Sequence, residues 1–104
     1  MPYFVVERYW PGVTAADVAA LADQLRRADD PRTARTVRYL GSTLLIDDDV
    51  VQCRFVGADV QAVRLANDDA GIRYDRILQA LAYPPWVPPN RAPSWARDPT
   101  PSLR

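Results

Sequence analysis

The stretch TVRYLGSTLLIDDDVVQCRF, Thr36 to Phe55, constrains this chain more than any other. Two runs rich in β-branched and aromatic residues flank Asp47-Asp48-Asp49, so they read as an antiparallel hairpin, with strands over Arg35–Leu45 and Val50–Val56. A lone hairpin is marginal in water and needs more strands or a helical layer to bury a face. The sequence on each side supplies one of each.

Upstream, Tyr3 to Trp10 reads as a strand that stops at Pro11-Gly12. Thr14 then offers a helix N-cap, with Asp17 well placed in the first turn. Val18, Leu21, Leu25 and Ala28 recur at helical spacing, Asp23 and Arg27 are spaced for an outer-face pair, and the helix should end near Asp29, before Pro31. Downstream, Asp59 is placed to cap a second helix with an apolar stripe of Val60, Val63, Ala66 and Ala70. Gly71 suits the left-handed position past its end, with Ile72 folding back as the hydrophobic contact. Asp68 and Asp69 lie at the unfavourable end of the helix dipole, where Arg64 and Arg73 could offset part of the cost. Arg76 to Tyr83 completes the pattern as a fourth strand. The order βαββαβ is the split βαβ plan of ferredoxin-like domains, an α+β sandwich with an antiparallel or mixed four-stranded sheet in order 4-1-3-2 and two helices on one face.

The chain has 104 residues, enough for one domain, expected over residues 1–83. From Pro84 the composition changes: residues 84–104 hold seven of the ten prolines and two of the three tryptophans, so they read as an extended C-terminal extension. Trp86 and Trp95 are the expected anchors if it packs on the domain or a partner. Its PTPSLR ending weakly resembles peptides that load cargo into encapsulin shells. Residues 1–83 carry 10 Arg against 12 acids and residues 84–104 carry 3 Arg against 1 acid, so neither part has the concentrated basic face of a nucleic-acid binder. One cysteine excludes an internal disulfide, the apolar runs are too short to cross a bilayer, and Glu7-Arg8 interrupts any signal-peptide core. The expectation is a cytoplasmic protein with no nucleic-acid or membrane partner.

The segments FVVERYWPGVT (Phe4 to Thr14), VRYLGSTLL (Val37 to Leu45), VVQCRFVG (Val50 to Gly57) and AVRLANDDAGIRYDRILQAL (Ala62 to Leu81) together resemble a small bacterial family. It is common in actinobacteria and was once catalogued only as a domain of unknown function; one branch is nickel-binding. The resemblance implies a ferredoxin-like fold and a homodimer. It also implies that Cys53 occupies the place of a third-strand cysteine, and that Leu40-Gly41-Ser42 stand where the nickel-type branch has histidine.

The residues themselves leave several readings open. The chain contains no histidine, and one thiol is a poor nickel or zinc site, so no metal ligand is assigned. Cys53 reads as a small buried residue of the core or, given a positive field, as a reactive thiol. The Asp47-Asp48-Asp49 run reads as a solvated turn rather than a calcium loop, because successive side chains diverge. Strand alternation puts Phe4, Val6, Val51, Cys53 and Phe55 on a dry face toward the helices. The opposite face then collects Tyr3, Val5, Glu7 and Tyr9 with Gln52 and Arg54, joined by Arg38 and Gln79 in a row Gln79, Glu7, Gln52/Arg54, Arg38. That row could be a solvated surface or a polar dimer interface. It could also line a ligand cavity, with Glu7 as base, Arg38 and Arg54 as anion holders, Tyr9 as donor, and Gln52, Gln79 and Trp86 as ligand contacts.

No phosphate loop, Ser-His-Asp set, or flavin or nicotinamide fingerprint is present, so no cofactor is expected. The leading expectation is a small dimeric binding or accessory protein without a competent nickel site. The alternative is a cofactor-independent cyclase or isomerase acting on a small polyketide- or aromatic-like metabolite. Tyr3, Val5 and Tyr9 are too apolar to lie exposed side by side, which points to dimerisation through the helix-free face.

Overall fold

The run from Tyr3 favours extended backbone, and strand β1 spans Tyr3–Tyr9 in the computed structural model, which describes residues 2–29 and 37–83. Gly12 turns the chain with φ 75°. Thr14 and Asp17 then form a reciprocal cap: Thr14 N–H donates to Asp17 Oδ2 at 2.9 Å and Asp17 N–H donates to Thr14 Oγ1 at 3.1 Å. Helix α1 follows over Ala15–Ala28, with Leu21 and Leu25 buried. On its outer face Asp23 meets Arg26, three residues on, rather than the Arg27 that the spacing suggests.

Strand β2 is Val37–Leu45 and β3 is Val50–Gly57, joined by a single 3-10 turn over Ile46–Asp48. Asp49 closes that turn at φ 54° and its carbonyl accepts the Trp10 N–H at 2.8 Å, tying the hairpin to the end of β1. Asp59 caps α2 (Val60–Asp69) by accepting the Ala62 N–H at 2.8 Å. Its far end is a Schellman motif: Gly71 at φ 72° donates to the Asp68 carbonyl at 3.0 Å, and Ile72 donates to the Asn67 carbonyl at 3.0 Å. Arg64 turns back to Gln61 (3.1 Å) instead of forward to Asp68. Val60 lies largely outside the core, and the buried positions on α2 are Val63 and Asn67. Asn67 is half satisfied there: its Nδ2 donates to the Val63 carbonyl at 2.9 Å, while its Oδ1 is buried without a partner.

Strand β4 is Arg76–Ala80, shorter than the run to Tyr83 that the sequence suggests. Register explains this: Ala80 lies opposite Tyr3, where β1 begins, and Pro2 beyond it has no N–H to extend the ladder. The element order is βαββαβ and the sheet order β2-β3-β1-β4, which is 4-1-3-2 from the other edge. All three pairings are antiparallel. The fold is ferredoxin-like. Phe4, Val6, Val51, Cys53 and Phe55 form the dry face with Leu21, Leu25 and Val63 from the helices. No helix among the described residues is long and apolar enough to cross a membrane. The C-terminal extension, with Trp86, Trp95 and the PTPSLR ending, lies outside the described residues.

Candidate functional site

The side of the sheet away from the helices carries a hydrogen-bonded polar row. Glu7 lies directly between Gln52 on β3 and Arg76 on β4. Gln52 Nε2 donates to Glu7 Oε2 at 2.6 Å and Arg76 Nε donates to Glu7 Oε1 at 2.8 Å. These two donors hold the Glu7 carboxyl below the usual glutamate range, Gln52 contributing most. Further along the same face, Arg54 Nη1 donates to Thr43 Oγ1 at 2.6 Å.

Arg54 lies opposite Gly41 and reaches Thr43 diagonally along the same face, just past a bulge in β2 between Tyr39 and Gly41. Gly41, at φ 137°, lies opposite Arg54, and a Cβ built there would fall 2.5 Å from Arg54 Nη2. The guanidinium thus occupies the space a side chain at position 41 would take. The bulge also lets Tyr39 and Ser42, three residues apart, face Phe55 and Cys53 on the same inner side. There Tyr39 Oη and Ser42 Oγ are 2.5 Å apart and Ser42 Oγ lies 3.1 Å from Cys53 Sγ. Cys53 is fully buried, and burial pushes its thiol up, as it does the Tyr39 phenol.

The structure brings together Glu7 and Gln52, and Tyr9 lines an open depression of about 230 Å³ with Glu7, Asp75 and Arg76. Asp75 extends the ladder just before the start of β4: its N–H donates to the Glu7 carbonyl at 2.8 Å, and its Oδ2 accepts the Tyr9 N–H at 2.5 Å. Arg38 does not join the row. Its Nε lies 3.3 Å from Asp29 Oδ2 at the end of α1, and the same carboxylate accepts the Tyr39 N–H at 3.2 Å. Gln79 does not join it either, because it lies opposite Phe4 and shares parity with Ile77, whose partner is Val6. Arg76 stands in its place. Trp86 lies outside the described residues.

Two residues escape the sequence reading. Arg76 had a local signal, since it shares the parity of Leu78, but only the register puts it beside Glu7. Arg8 shares the parity of Phe4 and Val6, so the same alternation that builds the dry face carries a guanidinium into it.

A model of the family described as "Nickel responsive protein SCO4226-like" matches residues 4–79. The crystal structure of SCO4226 from Streptomyces coelicolor A3(2) superposes with a TM-score of 0.59 at 19% identity, over 75% of this chain and 94% of that one. No curated protein matches. The family model spans both βα halves and the central hairpin, from β1 to β4, and the crystal structure independently shares the fold. The chain belongs to the nickel-responsive SCO4226-like family.

Proposed function

We propose that this chain is a small dimeric binding or accessory protein of its family whose ligand is not nickel. The observation that carries this reading is the state of Cys53. It is the single thiol of the chain, it is fully buried, and its sulfur is engaged with Ser42. Nickel binding needs several nitrogen or sulfur donors, with thiols deprotonated, whereas burial here favours the neutral thiol. The chain supplies no imidazole, and no three His, Cys, Asp or Glu side chains gather among the described residues. The donor set does not fit the metal in the family's description.

The helix-free face supports the dimer. Tyr3, Val5 and Val56 are half-buried there in a single chain, beside the Arg76–Glu7–Gln52 row. A two-fold contact would cover the apolar members and bring two such rows together. No observation favours the cyclase or isomerase reading. Both Glu7 oxygens are already bonded and the carboxyl is held acidic, which makes it a weak base.

Calorimetric titration with nickel tests the main claim. The expected result is no stoichiometric binding tighter than about micromolar, near −8 kcal/mol; a tight stoichiometric isotherm would overturn it. Light scattering at tens of micromolar should give a dimer mass, and a monomer there would remove the dimer from the reading.

A further inference from the structure

Strand pairing divides the helix-free face into three bands. At one end Tyr3, Val5, Val56, Leu78 and Ala80 lie side by side across β1, β3 and β4. At the other end Tyr9, Val50 and Leu45 do the same across β1, β3 and β2. Between them runs the polar band of Arg76, Glu7, Gln52 and Thr43. Leu78, Tyr9 and Leu45 are exposed, so each end presents apolar surface that a partner would cover.

The chain leaves the sheet beside the first band. Ala80 lies opposite Tyr3, Ala82 is buried, and Leu81 and Tyr83 are almost fully exposed on the way out. Residues 84–104 follow directly and carry Trp86 and Trp95. Tyr9 is four residues on from Val5, about 14 Å at the rise of a strand. Trp95 is nine residues on from Trp86, and such a segment spans up to about 30 Å. The two indoles can therefore reach both apolar bands at once, Trp86 at the nearer, with slack for irregular backbone. Between them stand Pro88, Pro89 and Pro93, which offer carbonyls but no N–H. The band they would cross is rich in donors, with Gln52 and Arg76 around one carboxylate whose oxygens are both already bonded. A segment that accepts more than it donates suits it. Proline also limits the entropy lost on docking.

We propose that residues 84–104 dock across the helix-free face of their own domain, Trp86 against Val5 and Leu78, and Trp95 against Tyr9, Val50 and Leu45. A second copy of the chain then has to displace this segment to dimerise through the same face. The docking stands on its own; only the competition rests on the dimer reading above. A tethered segment acts at an effective concentration in the millimolar range, so even weak docking loosens the dimer.

Two measurements on the full chain test this. In the first, a dilution series in the analytical ultracentrifuge compares wild type with a Trp86→Ser/Trp95→Ser variant. The dimer dissociation constant should fall about tenfold or more in the variant, because the covering segment is lost. An unchanged constant overturns the competition, and a larger one shows that the segment lies on the partner instead. In the second, the methyl resonances of Val5, Leu78, Val50 and Leu45 are followed at concentrations below the dissociation constant, where the rings of a docked segment displace them. Trp86→Ser should shift Val5 and Leu78, and Trp95→Ser should shift Val50 and Leu45. Methyls that ignore both substitutions overturn the docking, and the reverse pattern overturns the assignment of the two indoles. If neither form dimerises at tens of micromolar, the dimer reading fails while the methyl shifts still decide the docking.

Discussion

Glu7 and Arg8 are adjacent on β1 and face opposite sides of the sheet, and they show two ways of handling a charge. Glu7, on the open side, is met by a donor from each neighbouring strand. Arg8, on the helix side, has two buried N–H groups and no acceptor. An outer face can recruit long polar side chains and stay partly solvated, so its charges are cheap to satisfy. A core face offers only what packing leaves there, here a neutral thiol and a neutral phenol, with the charges of Asp75 and Arg73 acting on Arg8 in opposite senses. Such an uncompensated local cost is a departure expected at functional positions rather than structural ones.

Truncation on the two faces should sharpen the contrast most. Phe55→Ala removes a fully packed ring whose centroid lies 5.6 Å from that of Tyr39, and should cost about 3–5 kcal/mol in denaturant unfolding. Val5→Ala on the outer face should cost under about 1 kcal/mol in a dilute chain, showing its effect in dimer dissociation instead. A cost at Val5 equal to that at Phe55 in the monomer would erase the distinction between the faces.

The charges come next. Arg8→Met keeps an unbranched apolar side chain in place while removing the unpaired guanidinium, so it should raise stability by about 1–3 kcal/mol, read as a higher melting temperature. A lower one would mean that Arg8 is already satisfied. Gly41→Ala should cost about 1–2 kcal/mol, because φ 137° is strained for alanine and the new methyl displaces Arg54. The Arg54 side-chain resonances should move with it, and unchanged resonances would contradict the close approach.

Glu7→Gln should have the smallest effect, about 1 kcal/mol at neutral pH, since Arg76 is 63% exposed and its ion pair is screened. Its pH dependence has a definite sign. Gln52 and Arg76 lower the folded-state pKa, so the stabilisation is present above the ordinary glutamate range and is lost as pH falls through the folded value. Wild type and variant should therefore converge in acid. A gap that widened on acidification would show that Glu7 is protonated in the folded protein.

Local chemistry determined much of this protein. The caps at Thr14, Asp59 and Gly71, the acidic turn between β2 and β3, and the period-two alternation each depend on residues close in sequence, and together they impose βαββαβ. Alternation likewise put Glu7 and Gln52 on the same helix-free side, because parity along a single strand is a local property. Only the tertiary structure decided what depends on register and reach. The β1–β4 register put Arg76 beside Glu7 and turned Gln79 to the side of Phe4. The bulge at Leu40 brought Ser42 to Cys53, and the end of α1 drew Arg38 to Asp29. Arg8 belongs to both accounts: its parity is written in the sequence, but whether a buried charge finds a partner depends on which distant side chains packing brings to it.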